Sequence, residues 1–485
     1  MCEVTQTIRS YPIAPIDKNY LVIAHGLDGA GDISCAVKVA TILNKRLLIP
    51  IERIEIATNK PELVEIFNKR SFKVLSYTEA IKLDNVYLQI AVPAFLPVLA
   101  GFIARGIPTL LISEYGFESS EISIRFPHPW LSCHSFGLNA AESELGIMIS
   151  PGLVKHGFSE KSLLPCERLK HLEKLECKWL SNAILNGKSI IDFDQSCRLY
   201  QGYTSTYIGA WSYIGAICLL NQEDPKDLIF VMSGKSCNSE NYLKRVQLDF
   251  KQFAASQKIK EMRFISEKSE VAVVEVNPSN GFSVTIIHGL IEYRSLKKVI
   301  LAAEKETITT GDQSLSEAIS CNKSWLYEIR DHKRDLADAL ADIALDKDCD
   351  FTITVDFGAF FRIEHCREMF KNFFDAKKND YFSITSVNEE IINNFDAMKQ
   401  LPSHIDELTS QAPSSPLLTF SEESPESYTI PFNQWVVLNL EQILALKIDV
   451  YTGKSSISKY QDSEFSTQNL GELYFLQRSL SQMSS

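Results

Sequence analysis

The 485-residue sequence has no Cys-x-x-Cys pair, no His-Glu-x-x-His and no excess of basic residues. Its 11 cysteines (2, 35, 133, 166, 177, 197, 218, 237, 321, 349 and 366) are scattered and odd in number. That pattern fits reduced thiols in a cytosolic protein and excludes a disulfide frame or a zinc finger. Without His-Glu-x-x-His the common zinc proteases are set aside. Lys and Arg number 49 against 61 Asp and Glu, a formal net charge of −12. A general nucleic-acid binder needs a basic face to displace counterions, so no nucleic-acid partner is expected. The N-terminus, MCEVTQTIRSYPIAPIDKNY, is too polar and too broken by proline for a signal peptide. No fixed-period repeat occurs.

The long apolar runs are few. Residues 86–104, VYLQIAVPAFLPVLAGFIA, could span a bilayer by length. Pro93 and Pro97 divide that run into a strand-like and a helix-like half, the rhythm of a buried strand, turn and helix. A second run, 207–220, is short and carries Trp, Ser and two Gly. Both are read as core, and no membrane span is expected.

What the chain does have is alternation. Residues 21–25, 47–51, 72–77, 86–92 and 109–113 are strand candidates with helical segments between them. Residues 166–186 have helical apolar spacing. The alternation restarts with strands at 228–232, 262–266, 271–276, 282–288, 307–311 and 325–329, and helices at 242–257, 295–306, 313–321 and 332–347. Two such runs predict an α/β protein with two open, mostly parallel sheets covered by helices. The expected division is 1–165, a helical connector 166–222, 223–348, and an extension 349–485. Within that extension 366–378 reads as a helix, 405–428 as a loop, and the Ser-rich end has little to order it.

Open parallel sheets bind ligands at the carboxyl ends of their strands, and two informative loops fall there. The first is His25-Gly-Leu-Asp28-Gly-Ala-Gly-Asp32. Its glycines let backbone approach a ligand, and its two carboxylates are suited to acid–base work. It is not a Gly-x-Gly-x-x-Gly fingerprint. The bland alternative makes Asp32 a helix cap, Asp28 a turn aspartate and His25 a core-edge histidine. The second loop is Thr309-Thr310-Gly311-Asp312-Gln313-Ser314-Leu315-Ser316-Glu317. The N–H groups of Ser314 and Leu315 and the Ser314 hydroxyl can hold a diphosphate, and Glu317 can accept from ribose hydroxyls. Equally, Ser314 and Glu317 fit a capping box. On either reading Asp312 is a surface turn residue whose loss leaves the melting temperature nearly unchanged.

The string Gly-x-x-Ser-x-x-Glu-Ala after a strand, late in the second half, resembles the donor motif of GT-B glycosyltransferases. LDGAGDISCAVKVATIL resembles the opening of the bacterial elongation factor P arginine rhamnosyltransferases. The resemblance implies two Rossmann-like domains facing a cleft, a metal-independent inverting transferase, and no cofactor beyond a nucleotide-sugar co-substrate. Residue by residue, Asp28 and Asp32 match that family's aspartate pair, one serving as base. Gly311, Asp312, Gln313 and Ser314 match its Gly-Glu-Asp-Ser turn. Thr310 stands where the family has arginine, and Gln313 replaces an acid. A protein side chain is the acceptor the resemblance implies, with small molecules as the alternative. A nucleotide-sugar epimerase or a non-catalytic binding protein on the same scaffold are the competing readings. The acidic SEESPES segment and Ser-rich end loosely resemble translocation signals of bacterial effectors, so a cytoplasmic protein or a secreted effector is expected.

Other residues carry weaker signals. Glu114 ends a buried strand and can orient an acceptor or act as base. Lys235, in Ser-Gly-Lys without a Walker spacing, can neutralise a phosphate. His288 ends another strand and can touch the nucleotide base. Asp192-Phe-Asp194 is an Asp-x-Asp pair that reads as a turn rather than a metal site.

Overall fold

Strands buried on both faces are written as near-continuous apolar runs, and most strands here follow that rule. The computed structural model describes residues 18–26, 31–67, 71–92, 102, 107–113, 131–138, 144–222, 225–233, 252–266, 272–276, 281–289, 291–329, 333–347, 349, 354–355 and 363–411. They fall into two units: one holds the described residues up to Ser135 and from Lys399 onward, the other Phe136–Met398.

The first unit is built on β1 (Asn19–Ala24), β2 (Ile54–Thr58), β3 (Lys73–Leu75), β4 (Val86–Ala91), β5 (Thr109–Ser113) and β6 (Leu131–Ser135). All pairs are parallel, in the order β3-β2-β1-β4-β5-β6, that of a doubly wound dinucleotide-type sheet. The helix Gly31–Lys45 covers it with a buried stripe of Ile33, Ala36, Val37, Ala40 and Leu43 at helical spacing. Gln89, buried in β4, donates to Phe102 O (3.1 Å) and Thr109 Oγ1 (3.0 Å), so its amide is satisfied inside the core.

The strand expected at 47–51 is displaced. Leu48 is 77% exposed in the left-handed region (φ 56°), and Pro50 precedes a short 3-10 turn, Ile51–Arg53. Proline cannot donate to a ladder, so pairing waits until Ile54. β6, with the polar text LSCHS, has too little apolar signal to be foreseen. Helix Ala397–Gln411 overlaps the start of the expected 405–428 loop.

The second unit has β7 (Cys197–Tyr203), β8 (Asp227–Ser233), β9 (Ile259–Ser266), β10 (Ala272–Glu275) and β11 (Phe282–His288), in the order β10-β9-β11-β8-β7. Only β10 is antiparallel among them. β12 (Glu306–Thr309), β13 (Ser324–Glu328) and β14 (Thr354–Val355) form a parallel set. β12 runs alongside β7: Glu304 N–H donates to Leu199 O (2.7 Å) and Thr307 Oγ1 to Gln201 O (2.7 Å). Gly202 permits this approach, since a Cβ there would stand 3.0 Å from Ile308 Cγ2.

The apolar segment 207–220 is the helix Tyr207–Leu220, buried between this sheet and the helix Ile363–Asn379, whose Phe370 and Phe374 share its core. A helix apolar on all sides belongs in such a place. No helix among the described residues is long and apolar enough to cross a membrane. The expected helix 166–186 is three pieces, Pro165–Leu169, the 3-10 turn Leu172–Lys174, and Lys178–Leu185 ending at left-handed Asn186.

The domain division differs from the expected one. Residues 166–222 supply β7 and a core helix rather than a connector. Residues 363–398 belong to the second unit rather than to an extension: Trp325 Nε1 donates to buried Asn388 Oδ1 at 2.8 Å.

Candidate functional site

In the second unit the winding reverses between β7 and β12. The chain leaves β7 through the helix Tyr207–Leu220 and enters β8 on one side. It leaves β12 through the helix Asp312–Ser320 and enters β13 on the other. Connections diverging in this way open a crevice at the carboxyl ends of the two strands, where ligands of open α/β sheets sit. Ser205 and Thr206 flank it on one side, and Thr310, Gly311 and Asp312 on the other, with Ser205 Oγ 3.5 Å from Thr310 Oγ1.

Glu328, at the end of β13 and 1% exposed, fixes the β7 side. Its Oε2 accepts from Ser205 N–H (2.5 Å) and Oγ (3.0 Å), and its Oε1 from Thr206 N–H (2.9 Å). Burial raises its pKa above the ordinary carboxylate value, against the lowering effect of those donors. Sequence reasoning missed Glu328, although Glu114 was chosen for the same signal, a carboxylate closing a buried strand.

On the other side the capping-box reading is overturned. The N-cap of the helix Asp312–Ser320 is Gly311, at φ 76° and ψ 163°, a region that favours glycine. Ser314 lies inside the first turn, and its hydroxyl donates back to Thr310 O at 2.6 Å. Leu315 N–H is already committed to Gly311 O at 3.2 Å, so the amides left open by the helix lie one residue earlier than expected, ending at Ser314. Among the described residues no side chain caps the helix start, and a Cβ added at Gly311 would meet no atom within 4 Å. Glu317 is 4% exposed and accepts from Gln313 Nε2 (3.0 Å), so both side chains serve the helix face.

Asp312 is not a plain surface turn residue. Both its carboxylate oxygens are 2.8 Å from Lys333 Nζ, and Lys333 is 4% exposed. The expectation of a plain surface turn aspartate is therefore corrected: its carboxylate pairs with a buried ammonium, so its loss should cost stability. His288 closes β11 at the same sheet edge, and burial lowers its pKa. With β8 between β11 and β7, it stands about 10 Å from the crevice strand. Lys235, Asp28 and Glu114 lie outside the described residues.

In the first unit the winding reverses between β1 and β4, so the His25–Asp32 loop leaves from that switch point. Asn59, another residue sequence reasoning passed over, clamps its start: Gly26 N–H donates to Asn59 Oδ1 (2.9 Å) and Asn59 Nδ2 to Gly26 O (3.1 Å). Asp32 is the second residue of the helix Gly31–Lys45 rather than its cap, half-buried where the positive helix end favours a carboxylate. Asp192 and Asp194 lie in the helix Ile190–Ser196, Asp192 being bonded to the N-cap Ser189. Among the described residues no group of His, Cys, Asp and Glu has a metal-binding arrangement.

His25 is buried, and its Nδ1 lies 3.0 Å from Tyr77 Oη, which donates to Ala24 O at 2.6 Å. The tyrosine proton being so placed, His25 Nδ1 carries the donor proton. Burial, then the Lys60 charge, pushes its pKa down to about 4. A depressed histidine stabilises the fold fully above its unfolded value of about 6.5 and loses that contribution as pH falls toward 4. Urea unfolding followed from pH 7 to 4 should show a loss of up to ~3 kcal/mol from this group, flattened in His25→Gln. An identical pH slope in the variant would contradict the assignment.

No protein-family profile and no curated protein matches the sequence. Among solved structures, the chain is similar to a glycosyltransferase from Rickettsia africae (12% identity, 83% of this chain and 100% of that one, TM-score 0.47). It is also similar to HepE of Anabaena in complex with UDP (11%, 81% and 100%, 0.47) and to MurG of Acinetobacter baumannii (12%, 81% and 100%, 0.43).

Proposed function

We propose that this chain is a nucleotide-sugar-dependent glycosyltransferase of GT-B type, with its donor held at the β7/β12 crevice. The observation that carries the reading is the helix start at Gly311, which has no side-chain cap among the described residues and lies at a topological switch point. A diphosphate accepts well from such amides, and the positive helix end stabilises the charge that develops as it leaves. No metal is required for that role. Thr310 in place of the resembled family's arginine leaves more of it to backbone. Ser205 and Thr206, held by Glu328, offer neutral groups across the crevice.

The proposed reaction is a single inverting displacement. A carboxylate, Asp32 or Asp28, takes the acceptor's proton as the acceptor heteroatom bonds to the anomeric carbon. The bond from that carbon to the diphosphate oxygen breaks, and its electron pair leaves with the nucleoside diphosphate. A protein side chain is the proposed acceptor, supported by the resemblance of residues 27–43 to the protein-arginine transferases; a cytoplasmic setting is proposed from the scattered cysteines, and an effector setting from the acidic SEESPES segment and Ser-rich end.

The test is to incubate the full chain with a panel of nucleotide sugars and candidate acceptors, reading released nucleotide and intact acceptor mass. Nucleoside diphosphate with an acceptor mass shift supports transfer, and a shift on a protein supports the acceptor class. An isomerised nucleotide sugar would make it an epimerase. Neither turnover nor thermal stabilisation would make it a protein without this chemistry.

A further inference from the structure

We infer that the second unit carries another ligand site, a cationic cavity at the amino-terminal edge of β12 and β13 that takes a small phosphate-bearing molecule. The cavity encloses about 320 Å³, at the small end of the range for small-molecule pockets. Lys305 precedes β12 and Lys323 precedes β13, so it lies at the sheet edge opposite the β7/β12 crevice. Cys321, also lining it, follows the helix whose start is Gly311. Nine helical residues, ~13 Å, separate the two places.

The lining is strongly one-signed. Arg168, Lys305 and Lys323 stand deep, and Lys161, Lys170 and Lys174 are exposed at the rim. Four carboxylates stand near these six cations: Glu304, 2.6 Å from Arg168, Glu167, paired with Lys170, and Glu306 and Glu173, whose charges act on Lys305 and Lys170. Lys323, 4% exposed, donates only to the carbonyls of Ala303 (2.7 Å) and Glu304 (2.8 Å). Lys305 donates to Asn322 O (3.2 Å) and Tyr381 Oη (3.3 Å). Neither ammonium has an ion-pair partner among the described residues, and burial pushes Lys305 down to about 8 and Lys323 down to about 7. Buried cations without a contacting carboxylate are costly, and a bound dianion relieves that cost. His156 and His171, their rings 5.3 Å apart, line the same wall, and each neutral ring carries one N–H donor. Several convergent N–H donors around excess positive charge suit a phosphate's three oxygens better than a single carboxylate.

Calorimetry on the full chain with inorganic phosphate, pyrophosphate, glucose 1-phosphate and glucose, at constant ionic strength, tests this. The phosphate compounds should bind and glucose should not. Lys161→Glu with Lys174→Glu, both exposed and outside the proposed transfer machinery, should weaken binding at least ~tenfold with the unliganded melting temperature unchanged. Gly311→Ala should leave it intact. Absence of binding by all three phosphate compounds, or equal binding of glucose, overturns the site. Binding lost in Gly311→Ala but kept in the charge-reversed variant also overturns it, by placing the anion in the donor crevice. That last outcome would leave the transferase proposal standing, so the two fail separately.

Discussion

Asp312→Ala should destabilise the second unit by about 2–4 kcal/mol, because it removes a carboxylate paired at 2.8 Å with the buried ammonium of Lys333. For a unit of this size that lowers the melting temperature by about 5–10 °C. The paired change Asp312→Ala with Lys333→Met should recover most of the loss, since both members of the ion pair are then removed together. Thermal unfolding of the two single variants and the double variant measures the coupling. Additive losses would show that the 2.8 Å contacts contribute no pair energy. Any loss of donor binding in Asp312→Ala must be read against this structural cost, so Asp312 cannot separate a binding role from a folding one.

Asp32→Asn should reduce sugar transfer by about 10²–10⁴-fold, the usual worth of a positioned general base. The amide keeps the size of the carboxylate at the start of the helix Gly31–Lys45 but cannot take a proton. Donor affinity should stay within about twofold, because the donor is assigned to the other unit. Single-turnover rates with saturating donor, beside calorimetric donor affinity, give both quantities. An unchanged rate would move the base to Asp28.

The strands were legible where burial on both faces left no choice of residue. β1, β4, β5, β8, β11 and β13 are near-continuous apolar runs. The unit boundary was not legible. The second unit recruits β7 before its main run and the helix Ile363–Asn379 after it, and such long-range packing leaves no local mark. At the site, the turn at Gly311 was readable as strand, glycine, helix. The spacing of Ser314 and Glu317 satisfied a capping rule, but the helix starts two residues before Ser314, which turns that hydroxyl back onto Thr310. Lys333 lies 21 residues beyond Asp312, and Glu328 reaches back 123 residues to Ser205. Neither partner is visible until the strand order brings β7, β12 and β13 together.

The most direct measurement of the central claim is calorimetric titration of the wild-type chain and Gly311→Ala with the panel of nucleotide sugars. The added methyl meets no atom of the described residues within 4 Å, so the variant's cost is the backbone strain of a non-glycine residue at this φ and ψ, about 1–3 kcal/mol. A melting curve confirms that it is folded at the assay temperature. The account predicts that the wild type binds at least one nucleotide sugar, and that Gly311→Ala binds it at least ~tenfold more weakly, equivalent to ~1.4 kcal/mol. Absence of binding to the wild type, or equal affinity in the folded variant, would contradict a donor site at the β7/β12 crevice.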